Sequence, residues 1–131
     1  MNKDFKFIPL RNLSNKQVQD LFKRAKLYID FGNHPGKDRM PREAVMANCA
    51  IITGKKGSAR NDIDVPIPKK YKFNDDMKID NNLFRATVLD IFLNYEKNIS
   101  NFSKYKVIIE NEHAVFKTQV NSIFKEILYA K

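Results

Sequence analysis

The stretch from Leu27 to Gly54 constrains the fold of this 131-residue chain more than any other. Leu27-Tyr28-Ile29-Asp30-Phe31 is an apolar run of strand length. Gly32 to Met40 is polar and broken by Gly and Pro, with Pro41 suited to the first turn of a helix. Ala44, Val45 and Ala47 are small enough for close packing on a sheet. Cys49-Ala50-Ile51-Ile52-Thr53 is a second apolar run. Strand, loop, helix and strand in this order predict a βαβ unit with a right-handed crossover and parallel strands. Its loop carries Lys37, Arg39, Arg42 and Glu43 within seven positions. Ligands of open α/β sheets bind where loops leave the carboxyl ends of the strands, so a site is expected there.

The flanking sequence extends the unit. Phe5-Lys6-Phe7-Ile8-Pro9-Leu10 predicts a short strand ended by Pro9. Ser14 with Gln17 three positions on is a capping box, and Val18, Leu21, Phe22 and Ala25 continue at helical spacing, predicting a helix from Asn15 to Ala25. Lys26–Phe31 and Cys49–Thr53 are the next strands, and Val65-Pro66-Ile67-Pro68 is a candidate edge strand. Lys69 to Asp80 is polar and poorly patterned, and reads as a connector. From Asn82 the pattern is helical: one helix to about Lys97 on Phe84, Val88, Ile91, Phe92 and Tyr95, a shorter one around Phe102–Ile108, and a last one from Val115 to Leu128. The aromatic stripes of these helices are expected to be core. The expected architecture is one α/β domain, a small Rossmann-like parallel sheet of three to four strands flanked by helices. Residues 5–73 form its core and 82–131 a helical C-terminal tail.

The net charge of +9 is unevenly spread. Residues 1–36 carry seven Lys/Arg against three acids, residues 37–72 nine against four, and residues 73–131 eight against eight. A basic first half suits a phosphate-bearing ligand, nucleic acid or an anionic membrane surface. Aromatics are not interleaved with the basic loop residues, which argues against a single-strand stacking platform. The single Cys excludes an internal disulfide and any multi-cysteine zinc site, and His34 and His113 lie far apart, so no metal is expected. No run approaches the ~20 apolar residues of a membrane span and the first residues lack a signal-peptide core, so a cytoplasmic location is expected.

Two basic, Gly-containing loops, Asn33–Arg42 and Gly54–Asn61, should leave successive parallel strands at the same sheet end. Lys37, Arg39, Arg42, Lys55, Lys56 and Arg60 would supply counter-charge to a diphosphate. Neither loop matches GxGxxG or GxxxxGK[ST]. Glu43 either complements the helix dipole or accepts hydrogen bonds from two vicinal sugar hydroxyls. Asp30 inside an apolar strand needs a hydrogen-bonding partner. Cys49 reads as a small buried apolar residue. His34 is a loop residue open to either a catalytic or a merely exposed role. Ser58 has no His/Asp set for a triad, and no catalytic residue is singled out.

The order Ile8-Pro9-Leu10, Ser-capped helix, Lys26–Phe31, Pro35–Arg42 loop, Glu43-Ala44 and Ala50–Gly54 resembles the C-terminal, donor-binding domain of GT-B glycosyltransferases. Arg42-Glu43-Ala44-Val45-Met46-Ala47-Asn48-Cys49-Ala50-Ile51-Ile52 is similar to that family's helix-opening Glu and following strand. Tyr28–Arg39, Gly57-Ser58-Ala59 and Asp64–Pro68 look like a bacterial glycosyltransferase-like subgroup. The resemblance implies sugar-nucleotide binding, with Glu43 at the ribose, Gly36, Lys37, Arg39 and Arg42 near the donor sugar or diphosphate, and Gly57 and Ser58 beside the donor. It implies no cofactor besides the donor substrate. Eight positions before Glu43, where the family has another Glu, this chain has Pro35. The acceptor-binding half and the usual first βαβ of the donor half are also lacking. The resemblance therefore implies a fragment, one subunit of a split enzyme or a diverged binding domain, completed by an acceptor subunit or a second copy. It would act in the cytoplasm or at the inner face of the membrane. The competing expectation is a non-enzymatic basic module that binds nucleic acid or an anionic surface.

Overall fold

The computed structural model describes residues 5–32, 39–55, 65–74 and 77–129. Helix α1 (Asn15–Arg24) begins as the capping box requires: the Ser14 side chain accepts from the Gln17 N–H, and the Gln17 side chain accepts from the Ser14 N–H. Strand β1 (Leu27–Asp30), helix α2 (Arg39–Met46) and strand β2 (Ala50–Thr53) follow. The strands pair in parallel, Leu27 with Ala50 through Asp30 with Thr53, so the expected βαβ unit is present. Three further helices complete the chain, α3 (Met77–Leu93), α4 (Tyr95–Ser100) and α5 (Ser103–Tyr129).

The sheet is smaller than the sequence suggests. Among the described residues it has two strands, where three to four were expected. Residues 5–10 are irregular, although Phe5 stacks on Phe92 with ring centroids 4.4 Å apart. Val65–Pro68 is not a strand either, since Pro66 and Pro68 have no N–H to give a ladder. The chain meets the sheet a few residues later: the Phe73 N–H donates to the Thr53 carbonyl at 2.9 Å, beside a single parallel bridge between Thr53 and Lys72. The expected connector thus contributes a short 3-10 turn at Lys69–Tyr71 and buries Tyr71 and Phe73.

The helical half also departs from expectation. α3 starts at Met77 rather than Asn82, and ends at Leu93, where Asn94 leaves helical geometry ahead of α4. The two helices expected between Phe102 and Leu128 are one continuous α5. Its first turns are core: Tyr105 and Ile109, with Phe102 just ahead of the helix, are buried in one cluster with Val88 and Ile91 of α3 and with β2. Further along, Val115 and Phe116 are 57% and 68% exposed, against the expectation of a buried stripe. A second, smaller cluster joins Val18 and Phe22 of α1 to Ala44 of α2 and Cys49.

Asn48 turns the chain from α2 into β2. Its φ of 67° is the left-handed conformation common just past helix ends, where Asn is second to Gly. The Cys49 N–H then reaches back to the Ala44 carbonyl at 3.0 Å, while the Asn48 side chain and carbonyl accept from Lys106 and Tyr95. Cys49 itself is buried, its Sγ 3.1 Å from the Phe22 carbonyl, and desolvation pushes its pKa up to about 11. At pH 8 a thiol at that value is about one part in a thousand thiolate, so alkylation of the native protein should run at least about 100-fold slower than in denaturant. Equal rates in the two states would show that the thiol is accessible.

Candidate functional site

The parallel register decides which loops are neighbours. Asp30 and Thr53 are the last paired residues, so the chain leaves β1 through Phe31-Gly32 and β2 through Gly54-Lys55 at the same sheet end. The crossover brings the N-terminus of α2 back to that end as well. Asp30 shapes the exit from β1: its carboxylate accepts from the Tyr28 hydroxyl at 2.6 Å and from the Gly32 N–H at 2.8 Å. These are the partners that an acid within an apolar strand requires. A side chain at position 32 would meet Asp30 Oδ1 at 3.0 Å, a contact that glycine avoids. On the β2 side, the Gly54 N–H closes the ladder on the Asp30 carbonyl at 3.1 Å.

Of the seven residues expected at the donor, Gly36, Lys37, Gly57 and Ser58 lie outside the described residues, as do His34, Pro35, Lys56 and Arg60. Arg39, Arg42 and Glu43 are described, and α2 carries all three. Glu43 is not in the helix's first turn, which holds no acidic residue. Arg39 and Met40 join the helix ahead of Pro41, which the first turn tolerates, so Glu43 sits one turn further along. Its role is consequently not dipole complementation. Instead Arg39 Nε donates to Glu43 Oε1 at 2.5 Å, an i,i+4 pair in which Arg39 is 63% and Glu43 28% exposed.

Arg42 faces elsewhere. Its guanidinium donates to the Glu112 carboxylate, tying α2 to α5 in a part-buried pair. Arg42→Ala should cost about 1 kcal/mol and lower Tm by roughly 3–5 °C, through this tie rather than through any ligand. A melting curve identical to the parent's would show that the pair contributes nothing.

An open cavity of about 540 Å³ lies between α1 and α2. Glu43 lines it together with Gln19, Lys23 and Asn48, polar residues that the sequence reading did not single out. The helical spacing of Gln19 and Lys23 could have placed them on one face of α1, but not opposite α2. Chemically, this wall offers a carboxylate, an amide pair and an ammonium, a set suited to sugar hydroxyls. Among the described residues no group of three or more metal-binding side chains occurs, and no helix is long and apolar enough to cross a membrane. No protein-family model, curated protein or solved structure matches the chain.

Proposed function

We propose that the chain is the donor-binding part of a GT-B-like glycosyltransferase, which holds a nucleotide diphosphate sugar and transfers the sugar when an acceptor-binding domain completes the cleft. The observation that supports this most is the parallel β1–α2–β2 unit: two basic, Gly-containing loops leave the same sheet end, with Glu43 on the helix between them. In this reading the Glu43 carboxylate accepts from the two ribose hydroxyls, and Arg39, released from Glu43, turns with Lys37 toward the diphosphate. Gly36 and Gly57 would let the backbone approach the donor closely, with Ser58 beside it. Catalysis then rests on cationic stabilisation of the leaving diphosphate, with no separate cofactor or metal. Arg42 has the weaker claim to a phosphate, because engaging one would break its pair with Glu112. The site works in the cytoplasm or at the membrane's inner face.

Calorimetric titration with UDP, GDP and their sugars tests the reading: at least one should bind saturably at 1:1, and binding by none of them overturns it. The +9 charge favours a second reading, a basic module for nucleic acid or an anionic surface. Affinity of that kind falls steeply between about 50 and 200 mM salt, whereas a mononucleotide held in a shaped site is much less affected.

A further inference from the structure

The backbone bonding of the parallel pair fixes which groups of β1 face outward. The Lys26 carbonyl accepts from the Ala50 N–H at 2.9 Å, and the Asp30 carbonyl from the Gly54 N–H at 3.1 Å. In a parallel ladder alternate residues of a strand bond to a given neighbour. Lys26, Tyr28 and Asp30 therefore turn their backbone groups toward β2, and Leu27 and Ile29 turn theirs to the opposite edge. β2 gives its own far edge to Phe73. Among the described residues no hydrogen bond meets the outward groups of Leu27 and Ile29; residues 5–10 run beside them as irregular chain. A groove of about 640 Å³ follows this edge, walled by Phe5, Ile8, Leu10, Phe22 and Phe92. Phe7 and Ile8, next to it, are 61% and 47% exposed.

We propose that β1 pairs antiparallel with β1 of a second copy across a two-fold axis, joining two small sheets into one of four strands. The outward groups set the register. Leu27 stands opposite the partner's Ile29 and Ile29 opposite the partner's Leu27, each pair exchanging two backbone hydrogen bonds. Tyr28 meets the partner's Tyr28 on the axis. Lys26 then falls opposite the partner's Asp30, twice by symmetry, an opposite-charge cross-strand pair. A slip of two residues either way sets Tyr28 against Lys26 or Asp30 and loses that match. This self-complementarity selects a second copy over a foreign strand. Asp30, whose carboxylate accepts from Tyr28 and Gly32 among its partners, lies on the same strand face as Lys26, four positions away. Lys26 lies with its Nζ over the Tyr95 and Phe92 rings, 5.4 and 5.9 Å from their centroids, at the end of a flexible stem free to swing to the joint. Residues 5–10, which make no backbone hydrogen bond to β1, give way at this edge to the partner strand, and Phe7 and Ile8 offer it apolar surface to cover.

Sedimentation equilibrium of the full chain at about 150 mM salt should show a monomer–dimer equilibrium in the roughly micromolar range. Lys26→Glu and Asp30→Lys should each weaken association at least about tenfold, because each sets like charges opposite one another. Mixing the two variants should restore it as a heterodimer, a rescue that no purely structural defect would allow. Should Asp30→Lys fail to fold, amide exchange of the unmodified chain still decides: Leu27 and Ile29 should become protected as concentration rises. A chain that stays monomeric to about 1 mM overturns the proposal. So does a dimer that Lys26→Glu leaves unchanged, one that leaves Leu27 and Ile29 unprotected, or folded variants that mixing does not rescue.

Discussion

Replacing Asn98 with Leu should cost about 3 kcal/mol and lower Tm by roughly 10 °C. Asn98 is 1% exposed, and both ends of its amide are in use. Its Oδ1 accepts from the Tyr71 hydroxyl at 2.6 Å. Its Nδ2 lies 2.9–3.1 Å from the Asn94 carbonyl, the Asp90 carbonyl and the Asp90 carboxylate, fastening α4 to the end of α3. Leu fills the volume but leaves the buried Tyr71 hydroxyl with Asn101 alone, and takes one donor from each of the Asp90 and Asn94 carbonyls, which keep their backbone N–H partners. Tyr71→Phe, which removes only the hydroxyl, should cost about 1 kcal/mol. The same amide is felt by Asp90, whose pKa its bonds from Asn98, then Asn94, hold below the ordinary 3.8. A carboxyl lowered in this way stabilises the fold above its ordinary range, and that contribution is lost as pH falls through the lowered value. In Asn98→Leu the Asp90 carboxyl should titrate closer to 3.8, as NMR of its side chain would read. A thermal shift under about 2 °C would show that this network is peripheral.

Glu43→Ala should reduce nucleotide binding about 100-fold while leaving the fold nearly intact. Two hydrogen bonds from ribose hydroxyls to a carboxylate, at about 1.5 kcal/mol or more each, account for that factor. The Arg39 pair it also breaks is largely exposed and is worth about half a kcal/mol at most. Glu43→Gln keeps an acceptor oxygen and should lose less, about tenfold. Calorimetry of the three proteins against the best-bound nucleotide reads the ratio directly. Equal affinities would remove Glu43 from the proposed ribose contact.

What the sequence made legible is local. The Ser14–Gln17 box, the period of α1, the two apolar strands and the helix between them follow from short-range rules, and the structure has them. What it hid depends on distant partners. Tyr71 lies in a stretch with no pattern of its own, and is core because Asn98 and Asn101 serve its hydroxyl from α4. Phe5–Leu10 has strand composition, yet its residues make no ladder with β1. Val115 and Phe116 continue the apolar period of α5, yet none of the described residues covers them. At the site, the charge of Arg39, Arg42 and Glu43 was plain, but not its division: Arg39 with Glu43 along one helix face, Arg42 with Glu112 across to α5. That division makes Glu43 and Arg39 the stronger candidates for the proposed donor site, and Arg42 a tie between helices.

Amide NMR of the chain titrated with UDP and GDP tests the proposed site most directly. A nucleotide at the sheet end should move the signals of Gly32, Arg39 to Glu43 and Gly54-Lys55 together, along one 1:1 saturation curve. Unchanged spectra with both nucleotides, or shifts confined to α5 and the free edge of β1, would contradict it.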